Sequence, residues 1–133
     1  MRRFQNHQLG IDQGSLVLFS DFQHDGNMWT GEGQREHREA VSFSTAFRTP
    51  PVVQISISMW DFDSATNQRG DLTTEKVSTE GFVAVFKTWG DTRIARIRVD
   101  WTAVGSWKMR TTGMFIKISG LFPRAPTFPR RGL

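Results

Sequence analysis

Two β-rich runs that meet at a glycine–aspartate dipeptide constrain the fold of this chain more than any other feature. The segment from Gly81 to Trp101 reads GFVAVFKTWGDTRIARIRVDW. Glycine can take the positive φ that a two-residue hairpin loop needs, so the pattern predicts two antiparallel strands joined at Gly90-Asp91. Trp89 stands beside this turn. It either caps the core of a β-sandwich or offers a flat apolar face to a ligand held by the loops.

Alternation of apolar and polar residues predicts the other strands. The clearest case is residues 52–59, VVQISISM, which has one apolar and one polar face. The predicted strands are Ser15–Phe22, Ala40–Phe47, Val52–Met59, Leu72–Val77, Gly81–Lys87 and Ile94–Trp101, with Met114–Ile118 as a further short candidate. Two polar stretches, residues 23–39 and 60–71, are predicted to be long loops. No segment keeps a helical period over three turns, so we predict an all-β antiparallel domain, a β-sandwich.

The basic residues are concentrated at the end of the chain. The 133 residues include 17 Lys and Arg and 13 Asp and Glu, a formal charge of +4. Six of the basic residues and none of the acids follow Trp107, so eleven basic residues face all 13 acids in the body, a net charge of about −2. A solubilising or disordered extension explains such a tail better than a nucleic-acid or membrane partner does.

Several classes of function are excluded or disfavoured by what the sequence lacks. Without cysteine there are no disulfides, thiolate metal sites or cysteine nucleophiles. No run approaches the ~18 apolar residues of a membrane span, and no apolar stretch follows the basic N-terminus as in a secretory signal. The compartment therefore stays open. The common catalytic motifs are also missing, so an enzyme is not expected.

Three groups of polar residues resemble sites but are better explained as surface. Glu36 and Glu39 resemble a glycosidase carboxylate pair, but flanked by Arg35 and Arg38 they are more typical of a solvated charged segment. The stretch 61–67 lacks the ligand spacing of a calcium loop. The histidines, His7, His24 and His37, are scattered without the spacing of a metal site. No metal or cofactor is predicted.

An ordered set of residues resembles the H-type lectin domain family, the snail-agglutinin-like lectins. The set comprises Val41, Phe43, Phe47, Pro50, Pro51, Val52, Ile55, Asp61, Arg69, Val77, Gly81, Phe82, Thr88, Trp89, Thr92, Val99, Trp101 and Ala103. The resemblance covers residues 35–105. It divides the chain into an N-terminal strand and long loop (1–34), the lectin-like sandwich (35–105) and a basic, partly disordered extension (106–133).

The resemblance implies a β-sandwich of about six strands that assembles as a homotrimer, with trimers sometimes stacked into hexamers. Family members bind galactose or N-acetylgalactosamine where neighbouring subunits meet, without a cofactor. By position, Arg69 matches the sugar-contacting arginine and Trp89 the tryptophan at the hairpin tip. Glu32 matches an acidic residue on the loop of a neighbouring protomer, and the glycine close to it is Gly31 or Gly33.

These residue types suit a sugar. Trp89 supplies a flat apolar face for the C–H patch of a pyranose ring, and Arg69 supplies a rigid fork of donors for its hydroxyls. Glu32 or Asp91 supplies acceptors. Gly90 belongs to the same turn, but it stands where sugar-binding members carry a polar side chain, and Ala95 stands where they carry an aromatic one. Both differences remove sugar contacts.

Alternatives therefore stay open for each residue and for the function. Arg69 is alternatively a solvated loop arginine paired with Asp61, Asp63 or Asp71. Trp60 and Trp101 are predicted to anchor a loop and the core. Arg96, Arg98 and Asp100 are predicted to form an outward polar stripe that in a trimer can meet a neighbour. The first functional hypothesis is a carbohydrate-binding lectin. The second is a structural or attachment trimer of a larger particle or surface assembly, with little sugar affinity.

Overall fold

The chain folds into two antiparallel sheets of three strands each. The computed structural model describes residues 1–5 and 8–107. Its elements are β1 (Leu9–Phe19), α1 (Asp21–His24), α2 (Asn27–Thr30), β2 (Arg35–Ser42), β3 (Val52–Phe62), β4 (Asp71–Glu75), β5 (Gly81–Thr88) and β6 (Ile94–Ser106). One sheet has the order β1-β6-β3 and the other β2-β5-β4. The prediction of an all-β antiparallel sandwich is confirmed.

The predicted hairpin between β5 and β6 is wrong, although the turn between them exists. β5 pairs with β2 and β4, whereas β6 pairs with β1 and β3. Residues 89–93 therefore cross from one sheet to the other, and Gly90 has the expected positive φ of 71°. A turn dipeptide specifies only that the chain reverses. Two strands that each bury one face can equally pair edge to edge or pack face to face, and here they pack in opposite sheets.

Several predicted element boundaries are also wrong. β1 begins at Leu9 and ends at Phe19, and β2 occupies Arg35–Ser42, although the sequence predicts loop for the first part of that range. β3 continues to Phe62, and β6 continues to Ser106. Inward-facing glycines and aspartate in β1, and charged residues in β2, conceal the period that apolar residues reveal elsewhere. The candidate strand Met114–Ile118 and most of the basic extension lie outside the described residues.

The core lies between the sheets, where Trp101 packs over a glycine. An ideal Cβ on Gly14, its partner on β1, would lie 2.7 Å from Nε1 of Trp101, so the indole needs a residue without a side chain there. Trp101 also contacts Phe82, with ring centroids 5.5 Å apart. The prediction of a core Trp101 is confirmed. Trp60 is 62% exposed on β3, so the prediction that it anchors a loop is wrong.

The alternation predicted for β6 is confirmed. Ala95, Ile97, Val99 and Trp101 are buried, and Arg96, Arg98 and Asp100 are exposed. Among the described residues no helix has the length and apolar character needed to cross a membrane.

Candidate functional site

Three segments meet at the end of the sandwich where residues 89–93 cross between the sheets. The first hydrogen bonds come from two buried threonines on either side of the crossover. Thr88 donates its Oγ1 hydrogen to the carbonyl oxygen of Arg69 at 2.6 Å, and Thr92 donates to that of Asn67, also at 2.6 Å. The loop between β3 and β4, which carries Arg69, is therefore fixed against the crossover.

Arg69 forms an ion pair with the crossover itself. Its Nη1 donates to Oδ1 of Asp91 at 2.6 Å, and Nδ2 of Asn67 donates to the same carboxylate at 3.3 Å. The hydrogen bond from Arg69 and then that from Asn67 hold the pKa of Asp91 below its ordinary value. The Arg69 side chain stays about one-third exposed, so its other N–H donors can reach a ligand. The three alternative partners predicted from the sequence are wrong: Asp61, Asp63 and Asp71.

Gly90 provides the surface on which the guanidinium of Arg69 lies. An ideal Cβ on Gly90 would be 3.0 Å from Nη1 and 3.3 Å from Cζ of Arg69. The positive φ and this close approach both select glycine. The side chain that sugar-binding relatives carry here is thus replaced by the packed guanidinium of Arg69.

Trp89 projects from the same crossover and is 44% exposed. It does not belong to the cluster of buried core side chains. The interpretation of Trp89 as a core cap is therefore wrong. A ligand-facing role remains a prediction.

A buried arginine that sequence reasoning missed brings the third segment to the site. Arg35 is 5% exposed and donates to the carbonyl oxygens of Gly33 at 2.9 Å, Met28 at 3.3 Å and Gly90 at 3.2 Å. Gly33 N–H also donates to Gly90 O at 2.9 Å. Burial lowers the pKa of Arg35, while the nearby charge of Glu32 opposes this shift. The loop that carries Glu32 thus lies beside the Gly90 turn of the same chain.

The sequence signal for Arg35 is present but hidden among charges. The interpretation of Arg35 as part of a solvated segment is wrong. Continuing the alternation of β2 backwards from Val41 through Glu39 and His37 places Arg35 on the inward face, as the structure does.

Arg93 makes a second clamp between the loops. Its Nε donates to the carbonyl oxygen of Trp29 at 2.9 Å, and its guanidinium lies 4.3 Å from the centroid of the Trp29 ring. Its Nη1 donates to Asp63 at 3.2 Å. Arg93 therefore ties α2 to the loop between β3 and β4. Phe22 packs edge-on against Trp29, with centroids 5.0 Å apart.

The remaining predicted site residues lie at this end too. Gly31 ends α2, and its N–H donates to Asn27 O at 2.8 Å. Glu32 is exposed. Ala95 is buried, so the position that carries an aromatic in sugar-binding relatives offers little surface to a ligand.

The groups that resemble metal or catalytic sites in the sequence do not assemble among the described residues. No cluster of three or more metal-ligating side chains is found there. Asp61 is instead held by Arg96 at 3.2 Å. Glu36 and Glu39 sit at positions of opposite parity on β2, so they face opposite sides of the sheet and do not form a carboxylate pair.

The arrangement of a strand-crossing tryptophan, a clamped arginine and a flanking acidic loop can be compared with known proteins. The family model of the H-type lectin domain matches residues 38–104, half of the chain. The chain belongs to the H-type lectin domain family. Membership in this family supports a carbohydrate-binding lectin.

Individual relatives of this H-type lectin are similar over different extents. A protein of Fuscovulum blasticum named ATP synthase subunits region ORF 7 is 54% identical over 98 residues, which cover 74% of this chain and 85% of that protein. A polypeptide of discoidin-1 from Dictyostelium discoideum is 36% identical over 75 residues, 56% of this chain and 30% of its own length. The structure of discoidin II from the same organism superposes with a TM-score of 0.67 at 22% identity, over 80% of this chain and 39% of the other. This lectin therefore spans less than half of either discoidin.

Proposed function

We propose that this H-type lectin binds galactose- or N-acetylgalactosamine-type sugars at the loop end of the sandwich. The observation that supports the proposal is the convergence of Arg69 and the exposed Trp89 on one crossover. A pyranose ring presents a patch of C–H groups on one face and hydroxyls around its rim. The indole suits the patch, and the guanidinium suits the hydroxyls.

The contacts divide the proposed roles. Asp91 is engaged by Arg69 and Asn67, so it acts as a positioning residue that orients the guanidinium. Glu32 is the acceptor for hydroxyls, because its carboxylate is exposed beside the turn. Backbone groups of Gly31 and Gly90 complete the rim. The chemistry is recognition alone.

We further propose a homotrimer whose protomers meet through the outer face of β1-β6-β3. Three aliphatic residues lie directly opposite each other across this face: Ile11, Val104 and Val52. Ile11 is 72% exposed and Val52 is 45% exposed, so a row of apolar side chains faces solvent in the single chain. Burial against other copies would remove this surface from water. Linking several weak sugar sites in a trimer would raise avidity by ~10²–10⁴.

A structural or attachment trimer with little sugar affinity is the second candidate function. The observation that favours it is the loss of two ligand-facing side chains, because Gly90 has none and Ala95 is buried. The same fold and trimer would then serve assembly within a larger particle or surface complex.

A glycan array together with the mass of the protein in solution separates the two candidates. The lectin proposal expects binding to glycans that end in galactose or N-acetylgalactosamine, by a trimer or by stacked trimers. Silence on every glycan, with a trimeric mass, would instead support the assembly function. A monomeric mass would contradict the trimer in both.

Two tryptophan variants locate the binding site. Trp89→Ala should abolish glycan binding and destabilise the protein by less than the ~3–5 kcal/mol typical of a deleted core aromatic, because the ring is partly exposed. Trp60→Ala is the matched control, since Trp60 is an exposed tryptophan on β3 outside the crossover. Equal loss of binding in both variants would place the site elsewhere.

A further inference from the structure

A second group of polar side chains lies next to Trp89, on the outer face of β2-β5-β4. Glu36 and Asp71 are both directly opposite Lys87 in the strand register, so the three form one row across the sheet. All three are exposed. Together with Gln34 and Trp89 they line an open cleft of about 410 Å³.

This cleft adjoins the proposed sugar site but does not coincide with it. Arg69, Gly90 and Asp91 do not line the cleft, whereas Trp89 borders both regions. The volume falls within the ~300–1,000 Å³ typical of ligand pockets. A ligand held at the crossover could therefore extend past Trp89 into the cleft.

The polar groups in the cleft differ from those elsewhere on the same face. One row away, Arg38 spans the sheet and bonds to Glu75 at 2.6 Å, and it also bonds to Glu36 at 3.1 Å. By contrast, no side-chain hydrogen bond or ion pair to another described residue involves Lys87 or Asp71. The row thus presents a donor and an acceptor that the fold does not use.

The geometry points to a second carbohydrate subsite in this cleft, which receives the neutral pyranose unit linked to the terminal sugar. Each hydroxyl of a pyranose both donates and accepts a hydrogen bond. The ammonium of Lys87 donates, and the carboxylates of Glu36 and Asp71 accept. Two carboxylates to one ammonium disfavour a sulfated or carboxylated sugar, so the unit is neutral. This inference rests on the proposed lectin function.

Titration calorimetry with paired ligands tests the subsite. The probes are the methyl glycosides of galactose and N-acetylgalactosamine, and disaccharides that carry the same terminal sugar on glucose or galactose. We expect the unmodified protein to bind a disaccharide about tenfold more tightly than the matching methyl glycoside, the effect of one or two hydrogen bonds to charged groups.

Three variants assign that difference to the cleft. Lys87→Met and Asp71→Asn keep the size of each side chain and should remove most of the preference for the disaccharide, leaving the affinity for the methyl glycoside unchanged. Thr73→Ala is the control. Thr73 is exposed, two residues along β4 from Asp71, and does not line the cleft. It should retain the preference.

The outcomes separate this inference from the function beneath it. Equal affinity of the unmodified protein for methyl glycosides and disaccharides would overturn the subsite and leave the lectin function standing. So would an equal loss of both affinities in Lys87→Met and Asp71→Asn. Absence of binding to every sugar would overturn the lectin function and the subsite together.

Discussion

Replacing the buried Arg35 by methionine should loosen the loop end of the sandwich and weaken sugar binding together. Its guanidinium donates to backbone carbonyls of the α2 segment, of the loop that follows and of the Gly90 turn. Methionine has a flexible apolar side chain of comparable reach but no donors. The substitution therefore removes the hydrogen bonds with little loss of apolar packing.

The magnitude follows from which acceptors lose their only partner. Asn27 O keeps the N–H of Gly31, and Gly90 O keeps the N–H of Gly33. The carbonyls of Met28 and Gly33 receive no other donor from the described residues. Two unsatisfied acceptors at ~1–3 kcal/mol each, reduced by the relief of burying a cation, give a loss of about 2–3 kcal/mol. For a domain of this size that corresponds to a melting temperature lower by about 10 °C.

The assay combines urea unfolding with sugar titration on Arg35→Met and on a matched control. Arg38→Met is that control: Arg38 lies on the same strand but is exposed, and its ion pairs with Glu36 and Glu75 should contribute no more than ~1 kcal/mol. Arg35→Lys should recover part of the stability, since an ammonium can still donate to one or two of the carbonyls. Equal losses for Arg35→Met and Arg38→Met would refute the reasoning.

Three further predictions test the packing and electrostatics of the same molecule. Gly14→Ala should destabilise the protein by ~1–3 kcal/mol in urea unfolding, because the new methyl meets the ring of Trp101 at 2.7 Å, while sugar affinity stays unchanged. Gly90→Ala should weaken sugar binding as well as stability, by ~1–2 kcal/mol for the latter, because the residue has a positive φ and a methyl would displace Arg69; unchanged affinity would contradict this. The pKa of Asp91 is lowered from 3.8, so its ion pair is fully present above that value and is lost as the pH falls through the lower, folded-state pKa. Affinity should therefore be flat from roughly pH 5 to 9, and a midpoint near pH 6 would argue against the ion pair as the positioning device.

Strands with strict alternation could be predicted from sequence, because burial of one face leaves a period of two in the residue types. This holds for β3 and for the first part of β6, where the structure confirms which side chains face inward. Pairing could not be predicted. The residues of β5 and β6 look the same whether they are joined edge to edge or stacked in opposite sheets, and only the hydrophobic surfaces of β1 and β2 decide between these arrangements.

Elements whose inward positions are polar escaped prediction for a different reason. The inward positions at the start of β1 include Gly10, Asp12 and Gly14, which favour turns when they are judged from local preference alone. Gly14 is required there by a tryptophan almost ninety residues away in the chain, Trp101. Such a requirement is invisible until the partner strand is known.

The candidate site shows the same limit in its electrostatics. The resemblance placed Arg69 and Trp89 at one end, and the structure brings them to one crossover. The partner of Arg69 was mispredicted, because acids close in sequence were favoured over Asp91, which lies across the loop. Arg35 was hidden because a buried cation satisfied by backbone carbonyls leaves no acidic partner in the sequence to reveal it.

The loop end is organised by arginines rather than by apolar packing, and this has a consequence for how the site can change. Arg35, Arg69 and Arg93 each join segments distant in the chain through hydrogen bonds to carbonyls or carboxylates, while the aromatic core lies between the sheets. Exposed positions such as Glu32 and Trp89 contribute little to either network. Substitutions there should alter sugar recognition with little effect on folding, whereas substitutions of the clamping arginines should alter both. Specificity and stability are therefore separable in this lectin at the ligand-facing residues and coupled at the clamps behind them.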